Sequence, residues 1–153
     1  MLTILPAGLD DPDVAALIGA LDRELDQLYP EPGANHFRLD PEEVEPERGV
    51  FLLARLDGVA VGCGAVHLLD PATAEMKRMF TARSARGRGV GRALLSALEA
   101  EARRLGVTRL VLETGARQVE AMALYTNHGF VPIPSFGEYV DSPASVCLGK
   151  ELA

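Results

Sequence analysis

The chain has 153 residues, of which 48% are hydrophobic, and its formal net charge is -7 at pH 7. This length and apolar content suffice to bury one core, and we expect a single domain over residues 1–153. The acidic charge argues against general nucleic-acid binding, because a phosphate backbone requires a basic face. No segment approaches the roughly 18 consecutive apolar residues of a membrane span, and Met1–Pro6 lacks the regions of a signal peptide. We therefore expect a cytoplasmic location.

The first half of the chain predicts a strand, a helix and a loop. Residues 2–5 favour a short strand, and Asp-Pro-Asp at residues 11–13 is typical of a helix start. Apolar residues then recur at three- and four-residue spacing to about Tyr29, which predicts one core-facing helical stripe. A loop is expected over residues 30–48, with a short helical turn from Pro41.

The following segments predict an antiparallel hairpin and then a crossover. Strands are expected at Val50–Leu56 and Val59–Leu69, because Asp57-Gly58 between them is a strong two-residue turn signal. The other predicted elements are a strand at 73–81, a helix at 90–105, a strand at 107–113, a helix at 118–128, and strands near Phe130 and at 145–152. The strand–helix–strand order at residues 73–113 predicts a crossover connection.

The cysteines and histidines give no sign of a disulfide framework or a metal site. Cys63 and Cys147 lie far apart in apolar, strand-like surroundings, which favours reduced, buried thiols. His36, His67 and His128 have no metal-ligand spacing with one another, with the cysteines or with clustered acids. The motifs of serine and cysteine hydrolases are also missing from the sequence. We therefore expect neither metal chemistry nor a standard hydrolase.

A segment rich in arginine and glycine stands at the start of the helix predicted at 90–105. Helix N-termini carry unpaired N–H groups and the positive end of the helix dipole, so arginines there are unfavourable unless an anion binds among them. Glycines between them allow close approach by a ligand's oxygens. The residues are Arg83, Arg86, Gly87, Arg88, Gly89, Gly91 and Arg92. They predict a pyrophosphate site.

Two common phosphate motifs do not fit this segment. A P-loop ends in Gly-Lys followed by serine or threonine, whereas Gly91 is followed by Arg92 and Ala93. The last glycine of the dinucleotide fingerprint is also not in place. The pattern Arg86-x-x-Gly89-x-Gly91 instead resembles the coenzyme A pyrophosphate motif of the GCN5-related N-acetyltransferase (GNAT) superfamily.

The resemblance to this superfamily extends from about Val50 to the C-terminus. Residues 74–81 are similar to its fourth strand, 112–115 to its fifth, and 124–130 to its last helix and the exit from it. The resemblance implies an α/β (α+β) fold with a central mixed, mostly antiparallel sheet and helices on both faces. Strands four and five would be parallel and would splay apart to admit acetyl-coenzyme A. It implies no metal, and a homodimer is expected.

By the same resemblance, two groups of residues bind acetyl-coenzyme A. Met79, Phe80 and Thr81 would offer backbone groups to the pantetheine arm. Gln118 stands where many members have an asparagine that contacts the cofactor, a change that keeps the amide but lengthens its reach. The residues expected around the pyrophosphate are Arg86, Gly87, Arg88, Gly89, Val90, Gly91 and Arg92.

Two residues match catalytic positions of the family. Tyr125 corresponds to the tyrosine near the thioester sulfur, and a phenol with a pKa of about 10 can protonate the departing thiolate. Glu75 corresponds to the fourth-strand glutamate that serves as general base, usually through water. A carboxylate with a pKa near 4 is a weak base unless burial or a water relay assists it. Glu113 is the competing candidate for the base.

The acceptor site is the least determined part of the sequence. Lys77 and Arg78 are adjacent on a strand, so their side chains are expected on opposite faces, with one of them either binding an acceptor carboxylate or forming an ordinary ion pair. The resemblance implies a pocket framed by the first helix, the loop after it and the late hairpin. Its candidate residues are Tyr29, Asn35, His36, Phe37, Phe136 and Tyr139, which could equally be aromatic and polar anchors of loops.

The sequence therefore predicts an acetyl-coenzyme A-dependent N-acetyltransferase. It would act by direct transfer on the primary amine of a small molecule, such as an amino acid or a related amine. Two alternatives remain open, a non-catalytic acyl-coenzyme A sensor and an O-acetyltransferase that acts on a hydroxyl group.

Overall fold

The computed structural model describes residues 1–31 and 39–152, which form seven strands and three α-helices. In chain order these are β1 (Leu2–Pro6), α1 (Pro12–Leu28), β2 (Gly49–Leu56), β3 (Val59–Asp70), β4 (Thr73–Thr81), α2 (Val90–Arg104), β5 (Arg109–Gly115), α3 (Val119–Asn127), β6 (Val131–Pro132) and β7 (Ser145–Glu151). Short 3-10 helices lie at Pro41–Val44, Arg83–Ala85 and Gly137–Tyr139.

The strands form one mixed sheet in the order β1-β2-β3-β4-β5-β7-β6. All neighbours are antiparallel except β4 and β5, which the crossover through α2 makes parallel. The predicted hairpin turn is present, because Asp57 and Gly58 both have positive φ, as the favoured two-residue turns require. The structure confirms the predicted fold class.

Helices cover both faces of the sheet. α1 begins as the sequence predicts, with the Asp11 carboxylate accepting a hydrogen bond from the N–H of Asp13 at 2.8 Å. Its buried residues Val14, Leu17 and Leu21 pack on one face, together with Phe80 from β4. α2 and α3 cover the other face. Their contributions to that larger core include Val90, Leu94, Leu95, Leu98 and Tyr125, which pack with Leu110 and Leu112 from β5.

β4 and β5 stay paired over only half of their length. Thr73–Met76 lies opposite Arg109–Leu112. Beyond these residues β4 continues to pair with β3 as far as Thr81, and β5 continues to pair with β7 as far as Gly115. The two strands therefore splay apart after Met76, as the resemblance implied, and the sheet opens between them.

A bulge lies in β4 where it leaves β5. Arg78 has a φ of 57°, a left-handed conformation that is uncommon outside glycine, and the register with β3 shifts between Cys63 and Ala65. Met76 and Met79 both belong to the core beneath α2 and α3, whereas Phe80 packs under α1. The bulge thus interrupts the alternation of side chains between the two faces of the sheet, and it changes their direction beside the gap between β4 and β5.

The two cysteines agree with one further expectation. Cys63 and Cys147 are free and buried, as the sequence predicts. Burial raises the pKa of the Cys63 thiol to about 12, so it stays protonated and unreactive near neutral pH. Within residues 1–31 and 39–152, no helix combines the length and the apolar character that crossing a membrane requires.

Candidate active site

A cavity of about 880 Å³ opens beside the start of α2. Most of the predicted cofactor residues line it, namely Met79, Phe80, Thr81, Arg86, Gly87, Gly89, Val90, Gly91, Arg92, Gln118 and Tyr125. Arg88 is exposed and lies outside this wall. The fold therefore brings the predicted pantetheine and pyrophosphate segments to one place, with Arg88 as the exception.

The turn before α2 leaves backbone N–H groups open to this cavity. Gly87 and Gly89 have φ values of 78° and 84°, which glycine adopts at little cost. Gly89 is the N-cap of α2 and has no side chain to bond the first N–H groups. Those groups carry the positive end of the helix dipole. Open N–H groups at a helix start are suited to bind an anion, and the pyrophosphate site predicted here stays a prediction.

Arg86 is held in this cavity by three neighbours. Its Nε donates to the carbonyl oxygen of Thr81 at 3.0 Å, its Nη2 lies 2.6 Å from Oε2 of Glu24, and its guanidinium stacks 5.6 Å from the centre of the Phe80 ring. The hydrogen bond from Arg86 is the largest cause that lowers the pKa of Glu24. An ionised carboxylate from α1 thus lies among the arginines where phosphate oxygens are predicted.

Glu24 and Arg117 are wall residues that the sequence analysis missed. Glu24 is 62 residues from Arg86, and no local pattern connects them. Arg117 lies over the Tyr29 ring, 4.9 Å from its centre, and donates to the carbonyl oxygen of Leu28 at 2.8 Å. Tyr29 itself is buried and lines neither cavity. This predicted acceptor residue instead joins the end of α1 to the loop before α3.

A second, smaller cavity of about 80 Å³ lies where β4 and β5 separate. The residues that line it are Leu21, Leu25, Met76, Lys77, Arg78, Met79, Leu112, Glu113, Thr114, Gln118, Tyr125 and Tyr139. Five residues are in the walls of both cavities: Leu21, Leu25, Met79, Gln118 and Tyr125. The two cavities therefore meet at these residues, and four predicted acceptor-side residues lie in the smaller one: Lys77, Arg78, Glu113 and Tyr139.

Tyr125 is a protonated phenol at the meeting point. Its side chain is buried and packs edge-to-face on Phe130, with ring centres 6.0 Å apart. Burial, assisted by the charge of Glu113, raises the pKa of Tyr125 well above its usual value of about 10. The hydroxyl group therefore keeps its proton at neutral pH and can donate it to a stronger base.

Glu113 has the properties of a general base near neutral pH. Burial is the main cause that raises its pKa to about 7, and the negative charges of Glu75 and Glu138 add to the shift. A hydrogen bond from Ser145 Oγ to Glu113 Oε2, at 2.6 Å, and the charge of Lys77 act in the opposite direction. A carboxyl group with this pKa is about half ionised at pH 7 and accepts protons far better than an ordinary carboxylate.

Glu75 has both of its oxygens engaged inside the protein. It is 3% exposed and lines neither cavity. Its Oε1 lies 3.0 Å from Nε2 of His67, and its Oε2 accepts a hydrogen bond from the Tyr139 hydroxyl at 2.6 Å. His67 Nδ1 lies 3.2 Å from Oε2 of Glu43. Among the described residues, Tyr139 connects Glu75 to the smaller cavity. The role of Glu75 as the base stays a prediction.

Lys77 and Arg78 do not point to opposite faces, and that prediction is wrong. Lys77 Nζ lies 3.9 Å from Oε1 of Glu43, and Arg78 Nη2 lies 2.6 Å from Oδ1 of Asp22 in α1. The 3-10 helix that carries Glu43 packs with α1 on the same side of the sheet. The left-handed conformation of Arg78 turns its side chain to that side, so both cations border the smaller cavity.

The remaining predicted acceptor residues lie away from the cavities or outside the described part of the chain. Phe136 lines neither cavity and packs edge-to-face on Tyr139, with ring centres 5.2 Å apart. Asn35, His36 and Phe37 lie outside the described residues. In the part of the chain that the structure describes, no group of three or more His, Cys, Asp or Glu residues could hold a metal ion.

Comparisons with known proteins give a consistent result. Residues 16–130 match the Acetyltransferase (GNAT) family. A protein of Azospirillum brasilense named IAA acetyltransferase is 42% identical over 140 residues, which cover 91% of this chain and 90% of that protein.

Two solved structures extend the comparison to three dimensions. A crystal structure from Klebsiella pneumoniae, of a protein assigned to the acyl-CoA N-acyltransferases, is 37% identical, has a TM-score of 0.87, and matches over 100% of this chain and 99% of that one. A GNAT family acetyltransferase from Elizabethkingia anophelis, with acetyl-CoA bound, is 21% identical with a TM-score of 0.70, over 99% and 98% of the two chains. The second likeness is one of fold.

Proposed function

Because this chain belongs to the Acetyltransferase (GNAT) family and is an acyltransferase that uses acetyl-coenzyme A, we propose that it acetylates the primary amine of a small molecule by direct transfer. One observation carries the proposal. A carboxyl group with a pKa of about 7, Glu113, and a phenol that keeps its proton, Tyr125, line the same cavity where it meets the larger one. These are the base and the acid that the reaction needs.

The larger cavity would hold the cofactor. The pyrophosphate would lie against the open N–H groups at the start of α2, with Arg86 and Arg92 beside it. The pantetheine arm would follow Met79 to Thr81 along β4, where β5 no longer occupies the backbone. The acetyl group would then reach the meeting point of the two cavities, next to Tyr125.

Direct transfer follows from this placement. The acceptor's ammonium group gives a proton to Glu113, and its nitrogen attacks the carbonyl carbon of the thioester. The carbon–sulfur bond then breaks, and the leaving thiolate takes the proton of Tyr125. The acetylated nitrogen still carries one extra proton, which it releases through water to the tyrosinate, so that Tyr125 is restored. Holding the two reactants in adjacent cavities supplies much of the acceleration, because the attack becomes effectively intramolecular.

The charge of the smaller cavity favours an amine that also carries a carboxylate. Lys77 and Arg78 bring two positive charges to its wall, and both are mostly buried. Their present partners include Glu43, in the 3-10 helix at Pro41–Val44, and Asp22, in α1. A carboxylate of the acceptor would compete for the cations while its amine faces Glu113.

The first experiment is calorimetry with acetyl-coenzyme A, followed by an acceptor screen. The screen would compare amino acids, simple amines and matched alcohols by the release of coenzyme A. We expect stoichiometric binding and turnover of amines, and we expect Tyr125→Phe to slow turnover about 10- to 100-fold at unchanged cofactor affinity. Binding without turnover of any amine would favour the sensor, and turnover of alcohols alone would favour O-acetylation.

Three broader expectations stay predictions. They are the single domain over residues 1–153, the cytoplasmic location and the homodimer. Light scattering on the purified protein would test the dimer directly.

A further inference from the structure

Thr114 carries a buried hydroxyl group without a partner in the wall of the smaller cavity. Its side chain is 3% exposed, and its Oγ1 forms no hydrogen bond with any described residue. Buried polar side chains in native proteins are nearly always paired, because a buried donor without an acceptor is destabilising. Thr114 lines the smaller cavity and not the larger one. The missing partner is therefore expected among the atoms that enter the smaller cavity.

The regular pairing of β5 shows which side of the strand Thr114 occupies. β5 keeps an unbroken register with β7 from Arg109 to Gly115, so side chains alternate between the faces of the sheet. Thr114 shares its face with Leu112, which packs in the same core as Tyr125. Glu113 points to the other face. Thr114 thus lies on the side of the proton donor, and Glu113 lies on the side from which the amine is deprotonated.

We propose that the Thr114 hydroxyl donates a hydrogen bond to the carbonyl oxygen of the acetyl group in bound acetyl-coenzyme A and keeps that bond during transfer. The inference rests on the proposed function, because it takes the thioester sulfur to lie beside Tyr125. The carbonyl oxygen and that sulfur are bonded to the same carbon atom. A donor that lines the same cavity as Tyr125, on the same side of the sheet, is therefore placed to meet the oxygen. Negative charge develops on this oxygen when the amine attacks, and a donor fixed in advance stabilises it.

The test compares the binding of acetyl-coenzyme A and of coenzyme A by calorimetry, with no acceptor present. Thr114→Val keeps the shape of the side chain and removes the hydroxyl group, whereas Thr114→Ser keeps the hydroxyl. We expect Thr114→Val to lose about tenfold in its preference for acetyl-coenzyme A over coenzyme A, and Thr114→Ser to stay within about threefold of the wild type. The melting temperature of Thr114→Val should equal or exceed that of the wild type, because this variant no longer buries an unpartnered hydroxyl group.

Thr3→Val is the matched control, since Thr3 is an exposed strand residue in β1 far from both cavities in sequence and in the sheet order. It should change neither readout. An unchanged preference in Thr114→Val would overturn the inference, and so would equal weakening of both ligands with a lower melting temperature, which indicates a structural role. If the wild-type protein binds neither ligand, both the Thr114 inference and the proposed function are overturned. If it binds both ligands normally but turns over no amine, only the proposed function is overturned.

Discussion

The two cavities are built from the chain in different ways. The larger one takes most of its wall from two short segments, residues 79–92 and 117–125, and its anion site is made of backbone N–H groups and arginines. The smaller one takes its wall from α1, β4, β5, α3 and the 3-10 helix at Gly137–Tyr139. Local sequence can therefore predict the proposed cofactor site, whereas the proposed acceptor site depends on how distant elements pack.

The cavities also differ in how their charges respond to pH. Arg86 in the larger cavity is held protonated, since the hydrogen bond to Glu24 raises its pKa further. In the smaller cavity burial moves a carboxyl group, Glu113, to a pKa of about 7. Cofactor binding should therefore vary little between pH 6 and pH 8, whereas turnover should rise through this range.

The largest effect is expected from Glu113→Gln, which removes the proposed base and keeps its size. The kcat/KM of the wild type should decrease as the pH is lowered below 7, because protonation of Glu113 removes the base. The variant should lose about 100- to 1000-fold in kcat/KM at pH 8 and should lose the inflection near pH 7. Glu138→Gln is the control, since Glu138 affects Glu113 only by its charge. An inflection that survives in Glu113→Gln would return the role of base to Glu75.

Gly89→Asp tests the anion site at the start of α2. The new carboxylate would lie beside the phosphate oxygens, and repulsion between like charges should weaken acetyl-coenzyme A binding about 100-fold or more. Gly89→Asn is the control, because asparagine has nearly the same shape and tolerates the positive φ of 84°. Calorimetry should therefore show a much smaller loss for asparagine. Equal losses would mean that the backbone conformation, and not the charge, is what the position requires.

Glu113 should also destabilise the folded protein as the pH rises. Its folded pKa of about 7 exceeds the reference value of 4.5, so between these pH values the folded state binds more protons than the unfolded state. The free energy of unfolding then falls with rising pH and levels off above pH 7. Urea denaturation should measure the free energy of unfolding of Glu113→Gln and of the wild type. The difference between them should grow in favour of the variant by about 2 to 3 kcal/mol from pH 5 to pH 8. A constant difference would contradict the raised pKa.

The smallest effect is expected from Glu24→Gln. The Glu24 carboxylate is 2.6 Å from Arg86, and a bound pyrophosphate has to compete with it. Removing this charge should tighten acetyl-coenzyme A binding by roughly two- to fivefold, the range of a partly exposed ion pair. Asp22→Asn is the control, because Asp22 pairs with Arg78 and lines neither cavity. Weaker binding by Glu24→Gln would mean that Glu24 positions Arg86 for the cofactor.

The elements and the cofactor turn could be predicted because their signals are local. The Asp11 cap, the Asp57-Gly58 turn and the glycines before α2 each dictate backbone conformation within a few residues, and the structure has them as predicted. Arg88 belongs to the same segment as Arg86, yet its side chain lies outside the cavity wall. The direction of a side chain in this turn depends on the path of the backbone in three dimensions, which local sequence does not give.

Lys77 and Arg78 depart from strand alternation for a similar reason. Side chains alternate between the two faces only in a regular strand. Glycine is the usual sign of a left-handed residue in a bulge, and because this position is Arg78, the sequence does not predict the bulge. The sequence gives no sign of a role for His67 beside Glu75, although the two residues stand opposite each other in the β3–β4 register. That pairing was readable only once the register of the hairpin was known.

The order of the elements could be read from the sequence alone, and so could the proposed anion site, whose parts are neighbours along the chain; the family resemblance added the splayed pair of strands. The chemical character of the side chains depends instead on the tertiary structure. The pKa of Glu113, the protonated Tyr125 and the unpartnered Thr114 hydroxyl all result from burial by residues that are far away in sequence. Desolvation and pairing are properties of the packed molecule, and no spacing of residues records them.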